Sequence, residues 1–202
     1  MMPDFFAVPT TWRHGLPRLQ PLLRATLLTT LITLCACTPR YDWREVRGTN
    51  VPYTVLLPAK PSTHTRTVNL GGIQASMTMT ATEVGNTTFA VGTAELPDPA
   101  QAQAALLVMK GTLVKNIGGI VRREKITLGS QASTIEFDAG PAAGKSGAGA
   151  GTAAPVRGGP ANALHARLLA RQQRIYQVIV VGTDKAIPQD AIDTFLTSFR
   201  LD

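Results

Sequence analysis

From Ile73 to Val84 the chain reads IQASMTMTATEV, which puts Ile73, Ala75, Met77, Met79 and Ala81 on one side of an extended backbone and Ser76, Thr78, Thr80 and Thr82 on the other. Alternation of that length predicts a strand, because successive side chains of a pleated backbone point to opposite faces. A strand with one apolar and one hydroxyl-bearing face belongs in an antiparallel sheet that is core on one side and wet on the other. The stretch lies between Gly71-Gly72 and Gly85-Asn86, both hairpin signals, with RTVNL before it and TTFAVGTAEL, in which Phe89 and Val91 share a face, after it. Upstream, PYTVLLP alternates Tyr53, Val55 and Leu57 and is closed by Pro58. The first half of the soluble region is therefore expected to be an antiparallel meander.

The pattern then changes period. Asp98-Pro99 predicts a helix start, an acceptor side chain at the cap followed by Pro at the first helical position, and Gly118-Gly119 predicts its end. Between them Ala102, Leu106, Met109, Leu113 and Ile117 form one apolar stripe suited to packing on a sheet. Strand texture returns from Ile120 to Leu128 and from Ala132 to Phe137, around Gly129-Ser130, and again in HARLLAR and RIYQVIVVG around Gln172-Gln173. Val178 to Val181 is apolar on both faces, which predicts an interior strand covered from two sides. Pro188 opens a last helix on which Ile192, Phe195, Leu196 and Phe199 share a face. Residues 139–161 are dominated by Gly, Ala and Pro and predict a flexible insertion. The expected fold class is α+β: an antiparallel sheet of about six to eight strands, with one long helix and a C-terminal helix packed on it.

The N-terminal region carries a different message. Arg13, Arg18 and Arg24 precede the apolar run Ala25 to Ala36, which has the length of an export signal and is shorter than the roughly 20 residues needed to span a bilayer. It ends in Leu34-Cys35-Ala36-Cys37, which resembles the lipobox of bacterial lipoproteins. That resemblance implies cleavage before Cys37 and a diacylglycerol thioether on its sulfur, since only a thiol accepts that linkage. It also implies, from the non-Asp residue Thr38, delivery to the periplasmic face of the outer membrane. Three units follow: residues 1–36 as signal peptide, 37–50 as a tether that ends by docking on the domain, and 51–202 as a single domain large enough to bury roughly 70% of its unfolded surface.

The opening YTVLLPAKP, the later RIYQVIVVG and the closing AIDTFLTSFRL together resemble the PsbP-like group and related bacterial lipoproteins, over residues 51–202. The resemblance implies an antiparallel sheet with helices packed on it, in a group whose members mostly act as non-catalytic binding or assembly factors. The 139–161 insertion departs from that pattern at a point where a hairpin loop can lengthen at small entropic cost.

The remaining motifs point away from chemistry. Ala139 to Ser146 matches a phosphate-binding G-x-x-x-x-G-K-S loop except at Ala139, yet Pro141 removes a donor and the Gly/Ala run after Ser146 does not suit the helix that such a loop needs. No nucleotide is expected, and Lys145 reads as part of a linker. Both cysteines lie in the lipobox, and His64 and His165 stand apart as solvated side chains, so no disulfide, zinc site or other cofactor is expected. Glu83, Glu95, Glu124 and Glu136 are scattered along strands and identify no catalytic pair, and no Gly-x-Ser-x-Gly elbow is present. The chain carries a net charge of +7 without a compact basic block, which argues against a nucleic-acid partner. Arg122, Arg123 and Lys125 on one hairpin and Arg167, Arg171 and Arg174 on another read as solubilising edge charges rather than as a patch for anionic lipid. The function expected from these readings is a lipid-anchored, non-catalytic binding or assembly module that meets the membrane through Cys37 and a second envelope protein through its fold. The alternative is an envelope hydrolase or transferase whose site is assembled from residues distant in sequence.

Overall fold

Gly71 and Gly72 take φ values of 73° and 96°, a left-handed pair that only a primed hairpin turn requires. The Gly72 N–H donates to the Asn69 side chain at 2.7 Å, which satisfies that turn amide. In the computed structural model this turn joins strands β3 (Ser62–Leu70) and β4 (Ile73–Val84), and Gly85, at φ 60°, helps turn β4 into β5 (Thr87–Glu95). The structure describes residues 40–49, 51–129, 132–141, 163–183 and 187–202, all within the unit Arg40–Asp202. The signal peptide, the lipobox, Lys145 and most of the 139–161 insertion lie outside the described residues.

After β5, helix α1 (Pro99–Asn116) starts on the Asp98 cap, whose carboxylate accepts from the Gln101 N–H at 2.8 Å, and ends before Gly118 at φ 60°. Strands β6 (Ile120–Thr127), β7 (Ala132–Gly140), β8 (Ala163–Arg171) and β9 (Arg174–Gly182) follow, then helix α2 (Gln189–Ser198). Among the described residues the seven strands β3 to β9 form one antiparallel sheet in the order β3-β4-β5-β9-β8-β7-β6. The order has a simple reading. One meander ends at β5, α1 carries the chain across the sheet to its far edge, and a second meander returns from β6 to β9, which pairs with β5. A helix of this length spans about 27 Å, enough to cross four strands spaced about 4.8 Å apart.

The helices sit on opposite faces. Ala102, Ala105, Leu106 and Met109 of α1 pack on Ile135, Phe137, Leu164, Leu168, Ile175 and Ile179. On the other face Ile192 and Phe195 of α2 pack with Phe89, Val91, Val178 and Val180. The central strand β9 is thus buried at every residue from Ile175 to Gly182, as its two-sided apolar run demands.

The structure departs from expectation in three places. The segment read as a tether contributes strand β1 (Arg44–Arg47), paired antiparallel with β2 (Thr54–Leu57); REVR has a single apolar residue and so carries no readable alternation. Ala139 and Gly140, assigned to the insertion, extend β7, with Ala139 opposite both Val121 and Leu164. Finally, the hydroxyl face of β4 is wet only in part. Thr80 and Thr82 are buried, Thr80 sharing a 3.1 Å hydrogen bond with Thr63 and Thr82 donating to the Lys60 carbonyl at 3.3 Å. Threonine allows this because its methyl group packs while its hydroxyl finds a partner.

Candidate functional site

On the α2 side, α2 and the β1-β2 pair pack on β5 and β9 and reach β8 at Leu169 and Arg167, so that face of β6 and β7 stays polar. Register decides which residues meet there. Arg123, Asp138 and His165 form one cross-strand row, and Lys125, Glu136 and Arg167 form another two residues along. Asp138 is the hub of the first: His165 Nδ1 lies 2.8 Å from Oδ1, and Arg123 Nε donates to Oδ2 at 2.7 Å. In the second, Arg167 Nε donates to Glu136 at 2.7 Å while its Nη1 donates to the Leu196 carbonyl at 3.0 Å, which places a cation on the last turn of α2. On the opposite face Lys110 of α1 pairs with Glu124 at 2.6 Å, pinning the helix to β6.

The basic residues singled out in sequence therefore separate. Arg123 and Arg167 are engaged by Asp138 and Glu136, whereas Arg171 and Arg174 lie at the β8–β9 turn, about 20 Å along the strands from the His165 row. His165 is not simply a solvated side chain: it is half-buried and held by a carboxylate. Asp138 escaped sequence reasoning altogether, because its meeting with His165 depends on register across the 139–161 insertion. Chemically, an imidazole oriented by Asp is half of a nucleophile-activating pair, which still needs a hydroxyl or thiol at the other ring nitrogen. Among the described residues no side chain hydrogen-bonds to His165 Nε2, and Arg123 already balances the carboxylate charge.

His64 lies on β3, on the far side of the sheet from His165. Glu95 pairs with Arg174 at 2.7 Å, Glu83 is exposed at the end of β4, and neither approaches Glu124 or Glu136, which sit on opposite faces of the other meander. Two of the clefts among the described residues bear on the site. One of 380 Å³ runs between β1, β2 and α2, lined by Glu45, Thr54, Leu56, Thr194, Ser198 and Arg200. The other, of 280 Å³, is lined by Glu95, Arg171, Gln173, Arg174, Tyr176 and Asp202. Both lie at or below the small end of the roughly 300–1,000 Å³ range of ligand pockets.

The second cleft contains the groups with displaced titration. The Glu95 carboxylate hydrogen-bonded to Arg174 raises the guanidinium above its ordinary value, and burial of Tyr176 pushes its phenol up despite the nearby arginine. The neutral phenol is favoured by folding. Its contribution is in place below the ordinary tyrosine value of about 10 and is lost as pH climbs through the higher folded-state value. Tyr176→Phe keeps the ring contact with Phe199, centroids 5.8 Å apart, and removes the ionisation. Circular dichroism against pH should show the variant staying folded to a higher pH than the parent; coincident alkaline transitions would mean that Tyr176 does not drive the loss.

Comparison with protein-family models finds no matching family, and comparison with curated proteins and with solved structures finds no match to this chain. The functional reading therefore rests on the residues themselves.

Proposed function

We propose that the protein is a lipid-anchored, non-catalytic binding module of the cell envelope, with a PsbP-like arrangement of sheet and helices. It is held at the periplasmic face of the outer membrane by acylated Cys37, and a partner's extended, acidic segment adds to the β6 edge as a further strand. The observation that carries this reading is the state of β6. All eight of its residues are exposed, although it closes a seven-stranded sheet whose central strands β5, β9 and β8 are packed.

An edge strand presents unpaired N–H and C=O groups that template another strand, and natural sheets usually blunt such edges. Here Ile120, Val121 and Ile126 stand exposed on it, followed by Leu128 at 79% exposure. The opposite edge, β3, is also exposed but carries STHTRTVNL, in which Ser62, Thr63, Thr65 and Thr67 put hydroxyls at four of nine positions. Charge selects the occupant: β6 carries Arg122 and Lys125 besides Arg123, which is paired with Asp138, and its one acid, Glu124, is engaged by Lys110. The alternative of a hydrolase draws on the Asp138–His165 pair, which in this reading stiffens the platform behind β6.

A photo-crosslinking residue placed at Ile126 is expected to give one discrete adduct in cells, while the same residue at Thr65 on β3 gives none. Ile126→Pro, which removes a strand donor at an exposed site, should abolish the adduct at neighbouring positions without unfolding the sheet. Adducts of equal yield from both edges, or none from β6, would overturn the reading.

A further inference from the structure

The sheet carries a second arrangement at its other end, independent of the β6 reading. On the α1 side of the first meander, His64, Met79 and Gly92 form one cross-strand row, and Met77 lies on the same face two residues along β4. Gly92 has no side chain, and the neighbouring sulfurs use the space. A Cβ at Gly92 would collide with Met79 Sδ and would lie 3.5 Å from Met77 Sδ, with Gln177 Cβ also 3.5 Å away. Two thioether sulfurs therefore converge over one bare backbone position. The site is graded in depth: Met77 is buried, Met79 half-buried, and His64 exposed at the rim. The next residue in the row is Gln177, a buried amide.

Methionine often serves only to fill irregular gaps in a core. Here the gap is made by a glycine, in a strand where glycine costs stability, and alanine with a different neighbour would fill the same volume. A pair of thioethers with an imidazole at the open side is instead the ligand set that soft, electron-rich cations prefer. We propose that His64, Met77 and Met79 bind a soft monovalent metal ion of the Cu(I) class. All three ligands are neutral, so they suit a single positive charge. Arg66, opposite Met77 on β3 and exposed, costs a divalent ion twice the repulsion that it costs a monovalent one.

The test uses the full chain with both cysteines alkylated, so that thiols do not compete, and Ag(I) as a redox-inert probe. The chain has five methionines, which gives internal controls. In methyl-labelled NMR, the Met77 and Met79 ε-methyl signals are expected to move together and saturate at one equivalent, along with the His64 ring, while Met1, Met2 and Met109 stay in place. Gly92→Ala retains all three ligands but drives Met79 Sδ from the meeting point, and should weaken binding by roughly tenfold or more. Met79→Leu conserves volume and should do at least as much; it decides the matter if Gly92→Ala fails to fold. Movement of Met109 at the same silver concentration, or unchanged binding in Met79→Leu, would overturn the assignment and leave the methionines as core filling alone.

Discussion

Phe89→Ala is expected to destabilise the domain by about 3–5 kcal/mol, the cost of emptying a large buried aromatic site. Phe89 is fully buried and stands where three separate elements meet. Phe195 of α2 packs edge-on at 5.4 Å, and Tyr41 and Trp43, ahead of β1, pack edge-on at 6.4 and 6.3 Å. Such pairs add about 0.5–1.5 kcal/mol beyond area burial, so truncation loses both. Against a total stability of about 5–15 kcal/mol the loss is large. At about 2–4 °C per kcal/mol for a chain of this size, the melting temperature should fall by roughly 10 °C. Near-ultraviolet dichroism should weaken as Trp43 loses its fixed neighbour. Leu128→Ser, at an exposed site, serves as the control and should change stability by about 0.5 kcal/mol or less. A Phe89→Ala shift as small as that of the control would mean that α2 and β1-β2 do not pack on the sheet as a layer.

Cys37→Ser is expected to abolish fatty-acid incorporation outright, because serine cannot form the thioether and no other residue in the mature segment carries a thiol. On the proposed anchor, the energetic consequence is large. Each buried CH₂ contributes about 0.8 kcal/mol, so one chain binds a membrane marginally and two or more hold it durably. The described domain begins at Arg40 and makes its core from residues downstream of Cys37, so the variant should retain the parent's dichroism and melting temperature. Fractionation then separates the outcomes. Labelled palmitate should enter the parent and not the variant, which is found as an uncleaved precursor or in the soluble periplasmic fraction. A parent protein that takes up no palmitate and fractionates as soluble would remove the anchor from the proposal while leaving the β6 edge and the methionine site open to their own tests.

Local patterns sufficed for most elements. The alternation of β4, the Gly71-Gly72 turn, the Asp98 cap and the α1 stripe each encode their own geometry within a dozen residues, because strand pleat, turn handedness and helical period are properties of neighbouring side chains. The two-sided apolar run of β9 even announced its central place. What the sequence by itself determined is therefore the elements from β2 onward and the antiparallel class of the sheet. Strand order, register across long connections and the covering of each face were decided only in the tertiary structure. The reason is physical: β5 meets β9, and Asp138 meets His165, through contacts whose sequence separation carries no local periodicity. The same holds for Thr80 and Thr82, buried by what packs over them, for β1, a strand only because β2 lies beside it, and for the convergence of Met77, Met79 and His64 on Gly92. Each of these depends on which residues three strands bring to one row, a choice made by the packing of two layers against the sheet rather than by any residue's own preference.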